Sequence, residues 1–165
     1  MYSCLLKIIN PTDGRYLTPV EQNQVLAYAK SVPSRLLAAR HVEQKEEEII
    51  NTVLERMKPR YPNFTGQHDR AWEKGFRDMQ LVLRYIVQGM LLDDLDAASE
   101  KLLFWFRTIV ASVGMTPQFM RDHYHTLRDV CQQRLPAESF ALLEPHLNRA
   151  AEVLSDFPEP YRPAV

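Results

Sequence analysis

The sequence predicts an all-α protein with globin-like helix packing. Its 165 residues include only 5 glycines against 11 prolines, and most prolines fall where a helix should begin or end. Few stretches have the alternation of β-branched residues typical of strands, and no Asn-Gly or Asp-Gly hairpin turn joins two such stretches. About six or seven helices of unequal length are expected, several of them crossing, which favours a globin over a four-helix bundle.

The composition narrows the functional classes. Hydrophobic residues make up 45% and charged residues 25% of the chain, which excludes disorder over its whole length. A formal charge of -1 argues against bulk electrostatic binding to nucleic acid. No apolar run is long enough to span a membrane, and no export signal is expected. Cys4 and Cys131 are therefore expected to be reduced thiols in a cytoplasmic protein.

The first elements are a short helix and the start of a longer one. Residues 3 to about 13 form the short helix. Residues 18–21 (TPVE) form a capping box with proline at the first helical position, so the second helix begins there. This helix is expected to end near Ser31, because Pro33 stops it.

The middle of the chain predicts two helices separated by a loop. The first covers residues 34–57, which carry apolar side chains at helical spacing, and a proline-containing loop follows over residues 59–68. Asp69 is expected to cap a long helix that reaches Leu92. The acidic pair at residues 93–94 ends that helix.

The C-terminal part predicts three further helices. Their ranges are residues 96–113, 116–135 and 136–154. Gly114 closes the first, Pro117 lies at the start of the second, and Pro145 is expected to kink the third. The chain is therefore divided into one domain over residues 1–154 and a proline-rich tail over residues 155–165.

The helix predicted over residues 69–92 has three distinct faces. The core face comprises Trp72, Phe76, Met79, Leu83, Ile86 and Met90. A basic stripe on the opposite side comprises Arg70, Lys74, Arg77 and Arg84. The flank between them comprises Gly75, Asp78, Val82, Tyr85 and Gly89. Each glycine costs about 1 kcal/mol relative to alanine, so this flank predicts the close approach of either a packed helix or a flat ligand.

The polar residues of this helix have two interpretations. The basic stripe is either a solvated face, supported by a Glu73–Arg77 pair, or a clamp for carboxylates. Asp78 either pairs with Lys74 or accepts hydrogen bonds from pyrrole-type N–H donors, since an ionised carboxylate only accepts. Tyr85 either hydrogen-bonds a ring carbonyl or lies at the surface. A clamp for carboxylates together with an aspartate that accepts from pyrrole N–H groups describes a site for a linear tetrapyrrole with two propionates.

Five short motifs occur along the chain in the order and with the spacing of a known family. They are residues 14–19 (GRYLTP), 35–36 (RL), 58–62 (KPRYP), 77–89 (RDMQLVLRYIVQG) and 114–117 (GMTP). The first is similar to A-R-Y-L-S-P, and the fourth to C-L-R-D-x-x-x-x-L-R-x-x-x-x-G. Up to about residue 154 the chain therefore resembles the phycobiliproteins, most nearly the allophycocyanin branch.

The resemblance implies a phycocyanin-type globin domain preceded by an N-terminal helical hairpin. Family members pair through this hairpin and assemble into light-harvesting phycobilisomes of photosynthetic, cyanobacteria-like cells. We therefore expect a homodimer, or pairing with a phycobiliprotein-type partner, through the N-terminal helices. The expected location is the cytoplasm, including the cytoplasmic face of thylakoids.

The chain departs from the family at the position that holds the pigment. Gly75 stands where the family has the cysteine that forms the thioether to the bilin, while Arg77 and Asp78 match the propionate-binding arginine and the ring-nitrogen aspartate. Phe119 lies where members place an aromatic ring close to the pigment. The candidate bilin-binding residues are Arg77, Asp78, Lys74, Arg84, Tyr85, Gly75 and Phe119.

The leading functional prediction is a phycobiliprotein-related globin that binds phycocyanobilin or biliverdin non-covalently, or that serves bilin biosynthesis or delivery. It resembles the globins associated with bilin biosynthesis, which also lack the anchor. The alternative is a colourless structural or assembly subunit of the phycobilisome. Its associating surface would be the N-terminal helices.

Other classes find little support in the sequence. The histidines are His41, His68, His123, His125 and His146. A haem globin needs one in the helix over residues 96–113, which has none, and no histidine pair has metal-ligand spacing with a third ligand nearby. The chain has no glycine-rich phosphate loop, no nucleophile elbow and no HExxH pattern, so we expect neither a metal site nor an enzyme.

Overall fold

All regular elements of the described chain are helical, as predicted. A computed structural model describes residues 4–12, 14–64 and 70–159. The α-helices are α1 (Cys4–Ile9), α2 (Pro19–Met57), α3 (Ala71–Leu92), α4 (Phe104–Ser112), α5 (Pro117–Arg134) and α6 (Ala137–Ser155). A 3₁₀ turn (Asn10–Thr12) follows α1, and a π-helical segment (Ser99–Leu103) precedes α4. None of the helices described is long and apolar enough to cross a membrane.

The start of α2 has the predicted capping box. The backbone N–H of Glu21 donates to Thr18 Oγ1 at 3.3 Å, and the backbone N–H of Thr18 donates to Glu21 Oε2 at 2.7 Å. Arg15 donates two further hydrogen bonds to the same carboxylate. These contacts, led by the one from Arg15, lower the pKa of Glu21 to about 2.

The predicted end of the second helix before Pro33 is wrong, because α2 continues through this proline as one helix. Pro33 lies on an exposed face, where water can satisfy the carbonyl that loses its helical partner. Two residues after it, buried Arg35 donates from Nη1 to the Met90 carbonyl and from Nη2 to Asp93 Oδ1 at 2.6 Å. Its Nε donates to Ser31 Oγ at 2.9 Å. These bonds join both sides of the proline to the end of α3.

The C-terminal boundary of α3 is as predicted. The helix ends at Leu92, and Asp93 follows in the left-handed conformation with φ 52°. At the other end, the predicted cap Asp69 lies outside the described residues. Arg70 precedes the helix, also with φ 52°, and makes no side-chain cap.

The C-terminal helices follow the predicted boundaries closely. The helix expected over residues 96–113 contains the π-helical segment, which the sequence did not predict. Gly114 closes it with φ 80°, a conformation that favours glycine. Thr116 caps α5 by accepting a backbone N–H of the first turn at 3.1 Å. Helix α6 is continuous through Pro145.

One hydrophobic core joins the helices from α2 to α6. Its largest fully buried side chains are Ile49, Ile50, Met57, Met79, Leu83, Ile86, Met90, Leu103, Leu127, Leu143, Leu147 and Leu154. The predicted boundary after residue 154 falls at the end of α6, and Phe157 beyond it still packs against this core. The core fixes one face of α3 and leaves its N-terminal half beside α4 and α5.

Candidate functional site

An apolar cleft of about 240 Å³ lies between α3, α4 and α5. Its lining residues are Phe64, Ala71, Trp72, Lys74, Gly75, Asp78, Met79, Phe106, Ile109, Val110, Val113, Met115, Phe119, Met120, His123 and Tyr124. The lining therefore contains four of the predicted bilin-binding residues. These are Lys74, Gly75, Asp78 and Phe119.

The two glycines on the flank of α3 have different surroundings. A Cβ added at Gly75 would meet no described atom within 4 Å, so the cleft is open at this position. A Cβ added at Gly89 would lie 3.2 Å from the Asp94 carbonyl oxygen and 3.2 Å from His146 Nδ1. A packed helix therefore explains Gly89, whereas only open space adjoins Gly75 in the described part of the chain.

Asp78 is a cleft residue without a hydrogen-bonded partner in the described part of the chain. Partial burial raises the pKa of its carboxyl above the ordinary value, and the charge of Arg77 offsets part of that effect. No ion pair joins Asp78 to Lys74, although both are described. The carboxylate is thus available to accept hydrogen bonds from a ligand in the cleft.

The predicted basic stripe does not act as one clamp. Arg84 donates to both carboxylate oxygens of Glu46 at 2.8 Å, and this contact lowers the pKa of Glu46. The Arg84 side chain is therefore directed toward α2, and it does not line the cleft. Arg70, which precedes α3, pairs with Glu73 in the first turn of that helix. Of the remaining two basic residues, Lys74 lines the cleft and Arg77 lies beside it on exposed surface.

The two aromatic candidates have different positions. Tyr85 is half-buried against the core and does not line the cleft. Phe119 is buried in the cleft wall, where its ring stacks on Phe64 with centroids 4.7 Å apart. Tyr61 meets the same ring edge-on at 4.9 Å. Aromatic side chains therefore close one end of the cleft.

Two polar residues of α5, His123 and Tyr124, also line the cleft, and the sequence did not single them out as ligand contacts. His123 is 6% exposed, and none of the described residues hydrogen-bonds its Nδ1. Burial lowers the pKa of His123 to about 4. Burial, and then the charge of Asp78, raise the pKa of Tyr124. Helical spacing from Phe119 and Met120 would have placed both residues on the cleft face.

A larger polar groove of about 790 Å³ lies on the other side of α5, between α4 and α6. Its arginines are Arg107, Arg121, Arg128 and Arg149. Three of them pair with carboxylates, which are Asp156 at 3.1 Å, Asp129 at 2.7 Å and Glu152 at 3.0 Å. The groove offers little apolar wall, so the smaller cleft is the better candidate for a flat conjugated ligand.

Comparison with known proteins agrees with the motifs and the fold. A family model described as "Phycobilisome protein" matches residues 9–154. No curated protein matches the chain. The family match spans most of the sequence, and it confirms the phycobiliprotein resemblance and the globin-like fold. This family is generally light-harvesting or structural rather than enzymatic. The chain therefore belongs to the phycobilisome protein family.

Proposed function

We propose that this protein binds a linear tetrapyrrole reversibly in the cleft beside Gly75, without a covalent bond. The observation that carries the proposal is a combination of features among the described residues of this site: open apolar space, a carboxylate on Asp78 that none of them pairs with, and no thiol. Apolar walls suit conjugated rings, and an ionised carboxylate suits their N–H groups.

The residues present fit such a pigment in part. The cleft volume of about 240 Å³ is below the roughly 300–1,000 Å³ of typical ligand pockets. The cleft can therefore enclose only part of a bilin. Lys74 at the cleft and exposed Arg77 beside it supply cations for the propionate groups. Arg84 is not assigned to this purpose, because its Nε and Nη2 already donate to Glu46 and it lies outside the cleft lining.

Cysteine chemistry supports a non-covalent mode of binding. Gly75 replaces the thiol expected at the cleft, and burial raises the pKa of Cys131 to about 12. A thiol with such a pKa stays protonated near neutral pH and is a poor nucleophile. Cys4 lies on α1, and the described lining of the cleft takes no residue from that helix. Reversible binding suits a role in bilin biosynthesis or delivery, because the pigment can be passed on.

An absorption titration tests this function. The purified chain is mixed with phycocyanobilin and, separately, with biliverdin; we expect a sharper, red-shifted band that saturates with added pigment. Denaturation in acidic urea followed by gel filtration should separate all of the pigment from the chain. An unchanged pigment spectrum at saturating protein would contradict binding, and pigment that stays with the denatured chain would contradict the non-covalent mode.

A second candidate function is a colourless structural or assembly subunit of the phycobilisome. It is favoured by exposed apolar side chains on the N-terminal part of the protein. These are Ile9, Tyr16, Val20, Leu26, Leu36 and Leu37. Such residues suit association with a second copy or with an antenna subunit at the cytoplasmic face of a thylakoid.

Sedimentation velocity of the pigment-free chain tests the second function. We expect a dimer in the wild-type chain and a monomer when Val20 and Leu26 are both replaced by arginine. Asn51→Arg, an exposed polar position on the same helix about 37 Å beyond Leu26, is the matched control and should stay dimeric. A wild-type chain that is a monomer alone and with antenna subunits would contradict this role.

A further inference from the structure

We propose that His123 is the second polar contact of the cleft, and that its imidazole Nδ1–H donates a hydrogen bond to a carbonyl oxygen of the ligand. This inference rests on the proposed function and deepens it. It assigns the ligand two kinds of polar group, an N–H group for Asp78 and a C=O group for His123. Pyrrole and lactam units of a linear tetrapyrrole provide both.

The position of His123 points to a ligand contact. The residue lines the cleft from α5, while Asp78 lines it from α3, so the two side chains belong to different walls. The imidazole ring lies 5.3 Å from the Phe119 ring, centroid to centroid, with an interplanar angle of 33°. A flat ligand that enters between the helices would therefore meet the aromatic wall and the imidazole together.

The unsatisfied nitrogen is the second observation. His123 is more than nine-tenths buried, and its Nδ1 has no hydrogen-bond partner in the described residues. Buried polar groups without partners are uncommon, because they lose their contacts with water and gain nothing in exchange. Within the described ranges, no group of three metal-ligating side chains includes this histidine. We therefore assign this partner to a ligand in the cleft that His123 lines.

The protonation states of His123 and Asp78 limit which groups of the ligand each can bind. Burial lowers the pKa of His123 to about 4, so the ring is neutral near pH 7. A neutral imidazole has one N–H donor and one acceptor nitrogen, whereas the carboxylate of Asp78 can only accept. The other titratable groups of the cleft are Lys74 and Tyr124, and the Tyr124 hydroxyl also stays protonated. The proposal takes the tautomer with the proton on Nδ1, in which His123 is complementary to a carbonyl group, while Asp78 is complementary to an N–H group.

Two substitutions and one control test the assignment with phycocyanobilin as the probe. His123→Phe keeps an aromatic ring beside Phe119 but loses the donor, so affinity should fall about tenfold and the absorption maximum should move. His123→Gln keeps an N–H donor, so it should recover part of the affinity and part of the wild-type absorption maximum. His125→Phe is the matched control, because His125 is exposed in the polar groove on the other side of α5, and it should bind as the wild type does.

A measurement on the wild-type chain tests the same hydrogen bond without a variant, so it does not depend on whether the variants fold. Nitrogen NMR of the imidazole groups should show a hydrogen-bonded signal from His123 when phycocyanobilin is added, with no change at His125. Wild-type binding with an unchanged His123 signal, or with His123→Phe equal in affinity and spectrum, would overturn this inference and leave the proposed function standing. Absence of any wild-type binding would overturn both.

Discussion

At the scale of single residues, Asp78 is the residue on which the proposed ligand recognition depends most directly. It lies in the cleft lining, it makes no hydrogen bond to another described residue, and partial burial raises the pKa of its carboxyl. A charge that loses part of its hydration and gains no partner does not stabilise the free chain. Because Asp78 is still exposed, water solvates this carboxylate in the free chain, and a ligand in the cleft would take the place of that water.

Replacing Asp78 by asparagine should weaken phycocyanobilin binding by about tenfold or more, because a charged acceptor of N–H groups is lost. The free energy of unfolding should stay within about 0.5 kcal/mol of the wild type. Glu73→Gln, an exposed acidic position on the same helix outside the cleft lining, is the control and should bind normally. Absorption titration and urea unfolding give the two quantities. Equal affinity of the Asp78 variant and the wild type would refute the role of this carboxylate.

Two buried histidines should make the fold sensitive to mild acid. Burial lowers the pKa of both His123 and His146 to about 4, and the charge of Arg35 adds to this effect at His146. The unfolded chain then binds more protons than the folded chain between about pH 6.5 and pH 4. Stability is therefore complete above the unfolded pKa and falls as the pH decreases through this window.

Urea unfolding at pH 7 and pH 5 measures the effect. We expect a loss on the order of 1–2 kcal/mol per histidine at pH 5. His123→Phe should remove the part of this pH-dependent loss that is due to His123, and His146→Leu should remove the part due to His146. A wild-type free energy of unfolding that does not change between pH 7 and pH 5 would contradict the burial of neutral histidines.

At the scale of elements, α3 contains one glycine explained by packing and one explained only by the cleft. Gly75→Ala should stabilise the chain by up to about 1 kcal/mol, because the added Cβ meets no described atom within 4 Å and alanine favours the helix. Gly89→Ala should give no such gain, since its Cβ would lie 3.2 Å from His146 Nδ1 and from the Asp94 carbonyl oxygen. Urea unfolding of the two variants side by side checks the contrast. A larger gain at Gly89 than at Gly75 would refute it.

The continuity of α2 depends on contacts made by Arg35 across the fold. Arg35→Met should lower the free energy of unfolding by about 2–3 kcal/mol, because the charge-assisted bonds to Met90 and Asp93 are lost while the apolar stem remains. Arg40→Met, at an exposed position on the same helix, should change it by less than about 0.5 kcal/mol. Equal effects of the two substitutions in thermal or urea unfolding would show that these bonds do not hold α2 to α3.

The same helix shows which boundaries could be predicted from the sequence. The TPVE segment and Thr116 define helix starts through contacts within one turn, and the structure has both. Pro33 predicted an end that does not occur, because the proline signal is local. The contacts that oppose it join Arg35 to Met90 and Asp93, which follow it in the chain by 55 and 58 positions.

At the scale of the whole molecule, helical spacing predicted the cleft only where one helix supplies it, and Phe119 of α5 was predicted from the family resemblance instead. Helical spacing on α3 identified Lys74, Gly75 and Asp78, since their positions depend on one regular element. Arg84 was placed with them by the same spacing, but a glutamate on α2 binds it elsewhere. The wall that contains His123 comes from α5, and its meeting with α3 depends on how the helices cross. That crossing is a property of the packed core.

The central claim is that the open space beside Gly75 is a binding site for a linear tetrapyrrole. Phycocyanobilin affinity of the wild type and of Gly75→Leu, measured side by side, tests it most directly. Leucine favours a helix and would extend into the cleft, so the variant should fold at least as stably as the wild type and lose most of its binding. Saturable binding by the wild type and little by a folded Gly75→Leu is the result we predict. A wild type that does not bind, or a leucine variant that binds equally well, would contradict the account.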